Sequence, residues 1–303
     1  MSPRARIEAA PEPLPGAFDA HTHTWSTPEF DNDYDATMER AWAAGLVGMV
    51  EVGCDTASSE QSLDLARRDP RVHAVVGLHP EYADRLDEER AGIERVASAG
   101  AVAIGEIGLD YSRPGPSEAQ QVDAFRWQLD LAREHELPVV IHSRDADEAC
   151  FAILEEWARR VGTYLGAGRE IGMMHCYAGD AVLAARYLDL GFLISFPGTV
   201  TFPNNPRGQM VARAVPLPRM LVETDSPYLT PAPHRGRRNE PAYVVETARF
   251  VANLIGRSPD EVARTTAENA ARLFDLGLCL PSGSALSEAD QDRVVAIVRS
   301  AAG

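Results

Sequence analysis

The sequence contains no lysine: its 29 lysine-plus-arginine positions are all arginine. That absence removes any mechanism that needs a lysine Schiff base, a phosphate-loop lysine or a carbamylated lysine bridging two metals. Cysteine is scarce. Cys54, Cys150, Cys176 and Cys279 stand far apart and form no CxxC pair, as expected of reduced thiols in a cytoplasmic protein. No apolar run reaches the roughly 20 residues of a membrane-spanning helix, so no membrane partner is expected. The opening stretch MSPRARIEAAPEPLPGA lacks the apolar centre of a secretory signal. Positive charge is in short supply as well, with a formal net charge of −16. A protein that coats long duplex DNA usually carries a basic face. If this chain handles nucleic acid, a metal and a local arginine cluster must do the attracting.

What the sequence has is a repeat. Eight short apolar runs, AFDAHTH, GLVGMVEVGC, VHAVVGLHP, AVAIGEIGLDY, LPVVIHSR, IGMMHCY, GFLISFPG and RMLVETDSP, alternate with amphipathic segments. Each run reads as a buried parallel strand. The segment SEAQQVDAFRWQLDLAREHEL reads as a helix, with Val122, Phe125, Leu129 and Ala132 on one face and Ser117 and Gln120 as a capping box. Eight strand–helix units over about 250 residues have the size of an α/β TIM (β/α)8 barrel. A doubly wound open sheet is the alternative, disfavoured because polar residues close many strands rather than meeting at one crevice. The expected organisation is a disordered tail over 1–16, a single barrel domain over 17–276, and a C-terminal extension over 277–303 with a peripheral helix.

The strand ends carry the chemistry. In FDAHTHTW, period-two alternation places Asp19, His21 and His23 on one face. Two imidazoles could then share an ion with Asp19 behind them, or all three could be polar residues near a strand end. The remaining runs decide between these. They close with Glu106 (GEIGLDY), His142 (VVIHSR), His175 (MMHCY) and Asp225 (LVETDSPYL), and in such barrels the active site lies at that face. A carboxylate buried like Glu106 is costly unless paired or metal-bound. Four histidines and two carboxylates exceed one structural zinc site and suit two divalent ions ~4 Å apart. His21, His23, Glu106 and Asp225 are assigned to one ion, and Glu106, His142 and His175 to the other. With no lysine, Glu106 is the bridge. Mg, Mn and Zn all remain open as the metal.

The segments FDAHTH, VGLHPE, IGEIGLDY, LPVVIHSRDA, HCYAGD, ISFPGTVTF, LVETDSPYLTP, RGRRNEP and NAARLF run through residues 18–276. In kind and order they resemble the TatD-family metal-dependent hydrolases, within the amidohydrolase-like barrels. The resemblance implies a TIM barrel and a divalent-metal hydrolase, usually a DNase, with ligands at His21, His23, Glu106, His142, His175 and Asp225. It also brings RGRRNEP into the site region. Tyr177 and Ala178 depart from the phenylalanine and serine common in the family.

Other residues carry two readings each. His79 closes the third strand, either as a donor to a substrate phosphate oxygen or the attacking water, or as the residue fixing the turn at Pro80. Arg235, Arg237 and Arg238 form the densest positive patch near the mouth. They could fork onto phosphate or pair with the chain's many acids, with Glu240 holding their loop. Ser143 has no base beyond the metal histidines and is expected beside the ligands rather than as a nucleophile. His73 and His135 read as surface residues, and Trp25 could pack against a base.

The function expected is a phosphodiesterase or deoxyribonuclease acting on DNA ends or short single strands through a metal-activated water. Asp225, Glu106 and His79 are its catalytic residues, and the oligonucleotide is its partner. The same centre could instead hydrolyse a lactone, amide or cyclic imide. A non-catalytic metal-binding protein is the third reading, opposed by the complete ligand set.

Overall fold

The computed structural model describes residues 11–24, 28–30, 33–162, 164–166 and 168–276. Its strands are β1 (Ala17–Thr22), β2 (Leu46–Val52), β3 (Val72–Val76), β4 (Ala103–Asp110), β5 (Val139–Arg144), β6 (Gly172–Met174), β7 (Phe192–Phe196) and β8 (Met220–Val222). All neighbouring pairs are parallel, in chain order. The ring closes just beyond β8, where Asp225 N donates to His21 O at 3.0 Å and His23 N to Ser226 O at 2.9 Å. The architecture is the (β/α)8 barrel, with a strand in each of the eight apolar runs, and not the open sheet.

Around it lie α1 (Tyr34–Ala43), α2 (Thr56–Arg68), α3 (Leu86–Ala97), α4 (Glu118–Glu134), α5 (Asp147–Val161), α6 (Ala181–Asp189), α7 (Pro206–Ala214), α8 (Val244–Ile255) and α9 (Pro259–Phe274). The expected capping box opens α4. Ser117 Oγ accepts from Gln120 N, and the Gln120 side chain reaches back to Ser117 N. Phe125, Leu129 and Ala132 are buried as that helix face requires. Among the described residues, no helix is long and apolar enough to cross a membrane.

Two apolar layers divide the strands by alternate residues. Met49, Val76, Ile104, Ile141, Met174 and Val222 face the helices. Val50, Val75, Ala103, Val140, Met173, Leu193 and Leu221 face inward. The inner layer continues into Ala270, Leu273 and Phe274 of α9, so α9 plugs the floor of the barrel. The floor is therefore dry, and polar side chains can gather only at the carboxyl ends of the strands.

The N-terminal expectation needs correction. Pro11–Gly16 belong to the described chain, and Leu14 is buried with its amide bonded to Ala44 O at 2.8 Å. This segment covers the α1–β2 turn, because an apolar leucine there removes surface from water. Residues 277–303, with the expected peripheral helix, lie outside the described residues, as do Trp25 and Cys279.

Candidate metal centre

The alternation that builds the inner layer also builds the site. Two residues beyond Val140 comes His142, and two beyond Met173 comes His175. Beyond Leu221 come Glu223 and then Asp225, and beyond Val75 come Gly77 and then His79. Glu106 breaks this rule. Ile104, Ile107 and Leu109 all pack outward, and the register between β4 and β5 shifts between Ile104 and Ile107. The extra residue turns Glu106 inward, where strict alternation would have sent it toward the helices. Next to it, Gly108 lets the strands touch. Its φ is +143°, and a Cβ there would meet His142 O at 1.9 Å.

The six expected ligands come together, with Glu106 at their centre. Its Oε2 lies 3.3 Å from His21 Nε2 and 3.5 Å from His23 Nε2. Its Oε1 lies 2.5 Å from His142 Nδ1 and 3.5 Å from His175 Nε2. One carboxylate oxygen thus faces each histidine pair. Asp225 Oδ1 stands between the pairs, 3.6 Å from His23 Nε2 and 3.9 Å from His175 Nε2. The His21 and His175 rings stack at 3.5 Å.

The electrostatics follow from a buried anion ringed by imidazoles. Burial alone would raise the Glu106 carboxyl, but His175 and His142 outweigh it and hold Glu106 well below the usual carboxylate range. Burial likewise opposes charge on His142, yet Glu106 and Asp110 push it up to about 9. Burial brings His21 down to about 3, helped by its neighbour His175. Asp225 is pushed up to about 6, chiefly by burial.

Asp19 is not where alternation placed it. Phe18 and Ala20 lie in the inner layer, and the β1 register shifts beyond Asp19. The Asp19 carboxylate accepts from Thr224 N at 2.8 Å and Thr224 Oγ1 at 2.5 Å, and from His21 N at 3.4 Å. It therefore staples β1 to the end of β8 rather than backing an imidazole, and His21 Nδ1 is buried without a hydrogen-bond partner.

The sequence reading missed three side chains at the centre. Glu223 Oε1 lies 3.0 Å from His175 Nδ1, and the same carboxylate accepts from Cys176 N and Ser195 Oγ, both at 2.6 Å. Asp110 Oδ2 lies 3.1 Å from His142 Nε2. Cys54, after β2, places its Sγ 3.9 Å from His23 Nδ1. Glu223 and Asp110 had a signal, because each stands an even number of residues from a site residue on its own strand.

His79 fixes the turn, as one of its two readings requires. Its Nδ1 accepts from Glu81 N at 3.1 Å, which caps the 3₁₀ turn Pro80–Arg85. Nε2 must then carry the proton, and it points toward Glu106 Oε1 at 3.8 Å. Burial brings His79 down to about 3, so it is a neutral donor at the mouth.

Of the three arginines, Arg238 is already engaged. It forks onto Asp33 at 2.7 and 2.8 Å and lies over the Phe30 ring. Glu240 is held by a second fork from Arg40, so it does tie down this loop. Arg235 and Arg237 are exposed, Arg235 over the Phe202 ring at 4.1 Å. Ser143 Oγ donates to Asp147 Oδ1 at 3.3 Å, beside the ligands rather than among them. His73 is half-buried and stacks on Phe18. Tyr177, one of the departures from the family pattern, donates its hydroxyl to Asp180 O at 2.8 Å, at the start of α6.

The family described as TatD related DNase matches residues 18–275. A Bacillus subtilis protein named as an uncharacterized metal-dependent hydrolase, YabD, is 39% identical over 260 residues, covering 85% of this chain and 98% of its own. The 3'-5' ssDNA/RNA exonuclease TatD of Erwinia tasmaniensis is 36% identical over 269 residues, covering 86% and 100%. The crystal structure of the TatD homolog YjjV from Escherichia coli K12 superposes with a TM-score of 0.79 at 27% identity, covering 86% of this chain and 99% of that one. The chain belongs to the TatD family of metal-dependent hydrolases and is a hydrolytic enzyme.

Proposed function

We propose that this protein is a nuclease that hydrolyses phosphodiester bonds at the ends of single-stranded DNA or RNA with two divalent ions. The observation that carries this reading is the division of the Glu106 carboxylate between two histidine pairs, with Asp225 between them. The donor set fits the ions: a buried carboxylate meets four imidazole nitrogens, and no lysine competes for the bridging place. His21, His23 and Asp225 would hold one ion, His142 and His175 the other, and Glu106 both. Bound there, divalent ions lower the pKa of water and offset phosphate charge. Imidazoles and carboxylates together admit zinc, manganese or magnesium.

The chain's own residues then have defined tasks. Asp225, at the open side of the cluster, takes the proton of the attacking water. His79 donates Nε2–H to a phosphate oxygen as charge gathers on it. Water attacks phosphorus in line, and the bond from phosphorus to the leaving oxygen breaks. The net charge of −16 leaves few phosphate contacts for a long duplex and favours single-stranded ends. The exonuclease name of the Erwinia relative supports the same class of substrate.

The deciding experiment offers metal-stripped protein single-stranded DNA, duplex DNA, RNA and a lactone panel, with Mg, Mn or Zn restored in turn. Single strands should be shortened from an end with at least one metal. Turnover of a lactone with no phosphodiester cut under any metal would sink the proposal.

Glu223 provides a test of the centre's wiring. A carboxylate behind a metal-bound histidine fixes its tautomer and direction. Glu223→Gln should weaken metal affinity by about 10–100-fold, measured by competition with a chromophoric chelator. Unchanged affinity would show that His175 does not depend on Glu223 for its aim.

A further inference from the structure

Six arginines lack a carboxylate or carbonyl partner among the described residues, and three of them stand on one half of the barrel mouth. Arg144 is the exposed last residue of β5, Arg207 lies in the first turn of α7, and Arg235 lies in the loop after β8. None of the three guanidinium groups has a hydrogen bond or ion pair among the described residues, and Asp145, next to Arg144, makes none with it. Elsewhere the guanidinium groups are taken up. Arg238 is held by Asp33, Arg40 by Glu240, and Arg85 by Glu89 and Asp55. Three more lack ion pairs: Arg113 in the loop after β4, outside this row, and, away from the mouth, Arg90 over the Trp127 ring and Arg213 in the last turn of α7.

The three rim arginines belong to one side of the mouth. Arg144 ends β5, the strand that pairs with β6, and β6 leads directly into His175 and the half-buried Cys176. The charge of Arg207 acts on Tyr177 in the following loop. Arg235 lies 4.1 Å over the Phe202 ring, after β7, and Ala232 N donates to Thr201 Oγ1 at 2.9 Å, stitching the loops after β7 and β8 together. The three thus stand at the connections after β5, β7 and β8. The opposite half carries Asp33, Asp55 and Glu81. A chain with 45 acidic residues could readily neutralise three arginines, yet these three stay open on one side of the mouth. Spread over three separate connections, they suit several linked phosphates better than one small anion.

We infer that the β5–β8 half of the mouth seats a single nucleic-acid strand, its successive phosphates running over Arg144, Arg207 and Arg235 away from the Glu106–Asp225 cluster. The inference rests on the nuclease reading for the strand's identity. It moves phosphate contact from Arg238, which Asp33 holds, to Arg144 and Arg207, which no run of arginines in the sequence marks, and keeps Arg235.

The test is binding of fluorescein-labelled dT12 to the full chain in EDTA, read by anisotropy at several salt concentrations, so that no bond is cut. The triple variant Arg144→Gln, Arg207→Gln, Arg235→Gln should bind at least about tenfold more weakly. Its slope of log K against log salt should be shallower by about 2, since each lost single-strand contact removes about 0.7. Arg213→Gln, equally unpaired but off the rim, should keep the parent's affinity and slope. A parent that does not bind dT12, or a triple variant with the parent's affinity and slope, overturns the inference. A parent that binds dT12 through these arginines but cuts no phosphodiester with Mg, Mn or Zn upholds the rim and overturns the nuclease reading instead.

Discussion

Glu106→Gln is expected to lose both ions and the hydrolytic activity while keeping the metal-free fold. The carboxylate is buried, and its charge is met only by the imidazoles around it. Glutamine has the same size and one carbonyl oxygen, but it carries no charge and turns an amide N–H₂ toward one histidine pair. It therefore cannot bridge two cations. With the ions gone, kcat/KM should fall by at least about 10³-fold, or about 4 kcal/mol of transition-state stabilisation. The fold should survive for a specific reason. Removing one partner of a buried ion pair is costly when the other charge is stranded, and His142 is not stranded. It can release the proton that Glu106 and Asp110 hold on it up to about pH 9, and Asp110 still accepts from its Nε2. The metal-free variant should therefore melt within a few degrees of the metal-free parent, and added manganese should raise the melting temperature of the parent alone. Metal content by mass spectrometry decides the bridging role. A variant that still holds two ions per chain refutes it, and a metal-free variant that melts far below its parent makes Glu106 a structural residue.

The barrel was legible because parallel strands covered on both faces read as apolar runs. The strand ends were legible because polar residues closing such runs have nowhere to go but the mouth. His142, His175 and Asp225 followed from that logic alone. Glu106 reached the centre for a reason the sequence does not display: β4 carries an extra residue between Ile104 and Ile107 that reverses its facing. The same blindness to register put Asp19 behind the imidazoles, whereas it bonds to Thr224 across the closing seam. Glu223 was within reach, standing two residues before Asp225 on the same face. The arginines fail differently. Density along the chain marked Arg235, Arg237 and Arg238, but pairing is set in three dimensions, and the fold brings Asp33 onto Arg238 from 205 residues away. Arg144 and Arg207 come singly from separate loops, so no local pattern reveals them.

Asp225→Asn should leave the protein folded and at least partly loaded with metal, yet lower kcat by about 10²–10⁴-fold, the usual contribution of a positioned base. Asparagine is the informative replacement because Asp225 has a φ of 57°, a left-handed conformation that asparagine tolerates and most residues resist. Alanine there would add backbone strain and blur the result. The amide oxygen can still meet a cation, and Glu106 with four histidines remains, so the loss should fall on kcat more than on metal content. The pH dependence separates a proton acceptor from a mere ligand. Burial pushes the Asp225 carboxyl up to about 6 in the metal-free site. Below that pH a proton occupies the oxygen that must face the ion, so a cation has to displace it. Metal affinity of the parent should accordingly decline as pH falls through about 6, approaching tenfold per unit for this proton. Asparagine has no such proton, so in the variant this part of the decline should vanish while any part due to the histidines persists. If kcat stays within tenfold of the parent and the acid side of the affinity profile is unmoved, Asp225 neither takes the water's proton nor competes with one for the metal. The proton would then have to leave through His79, whose neutral ring can serve as an acceptor only by giving up the capping bond from Glu81 to its Nδ1.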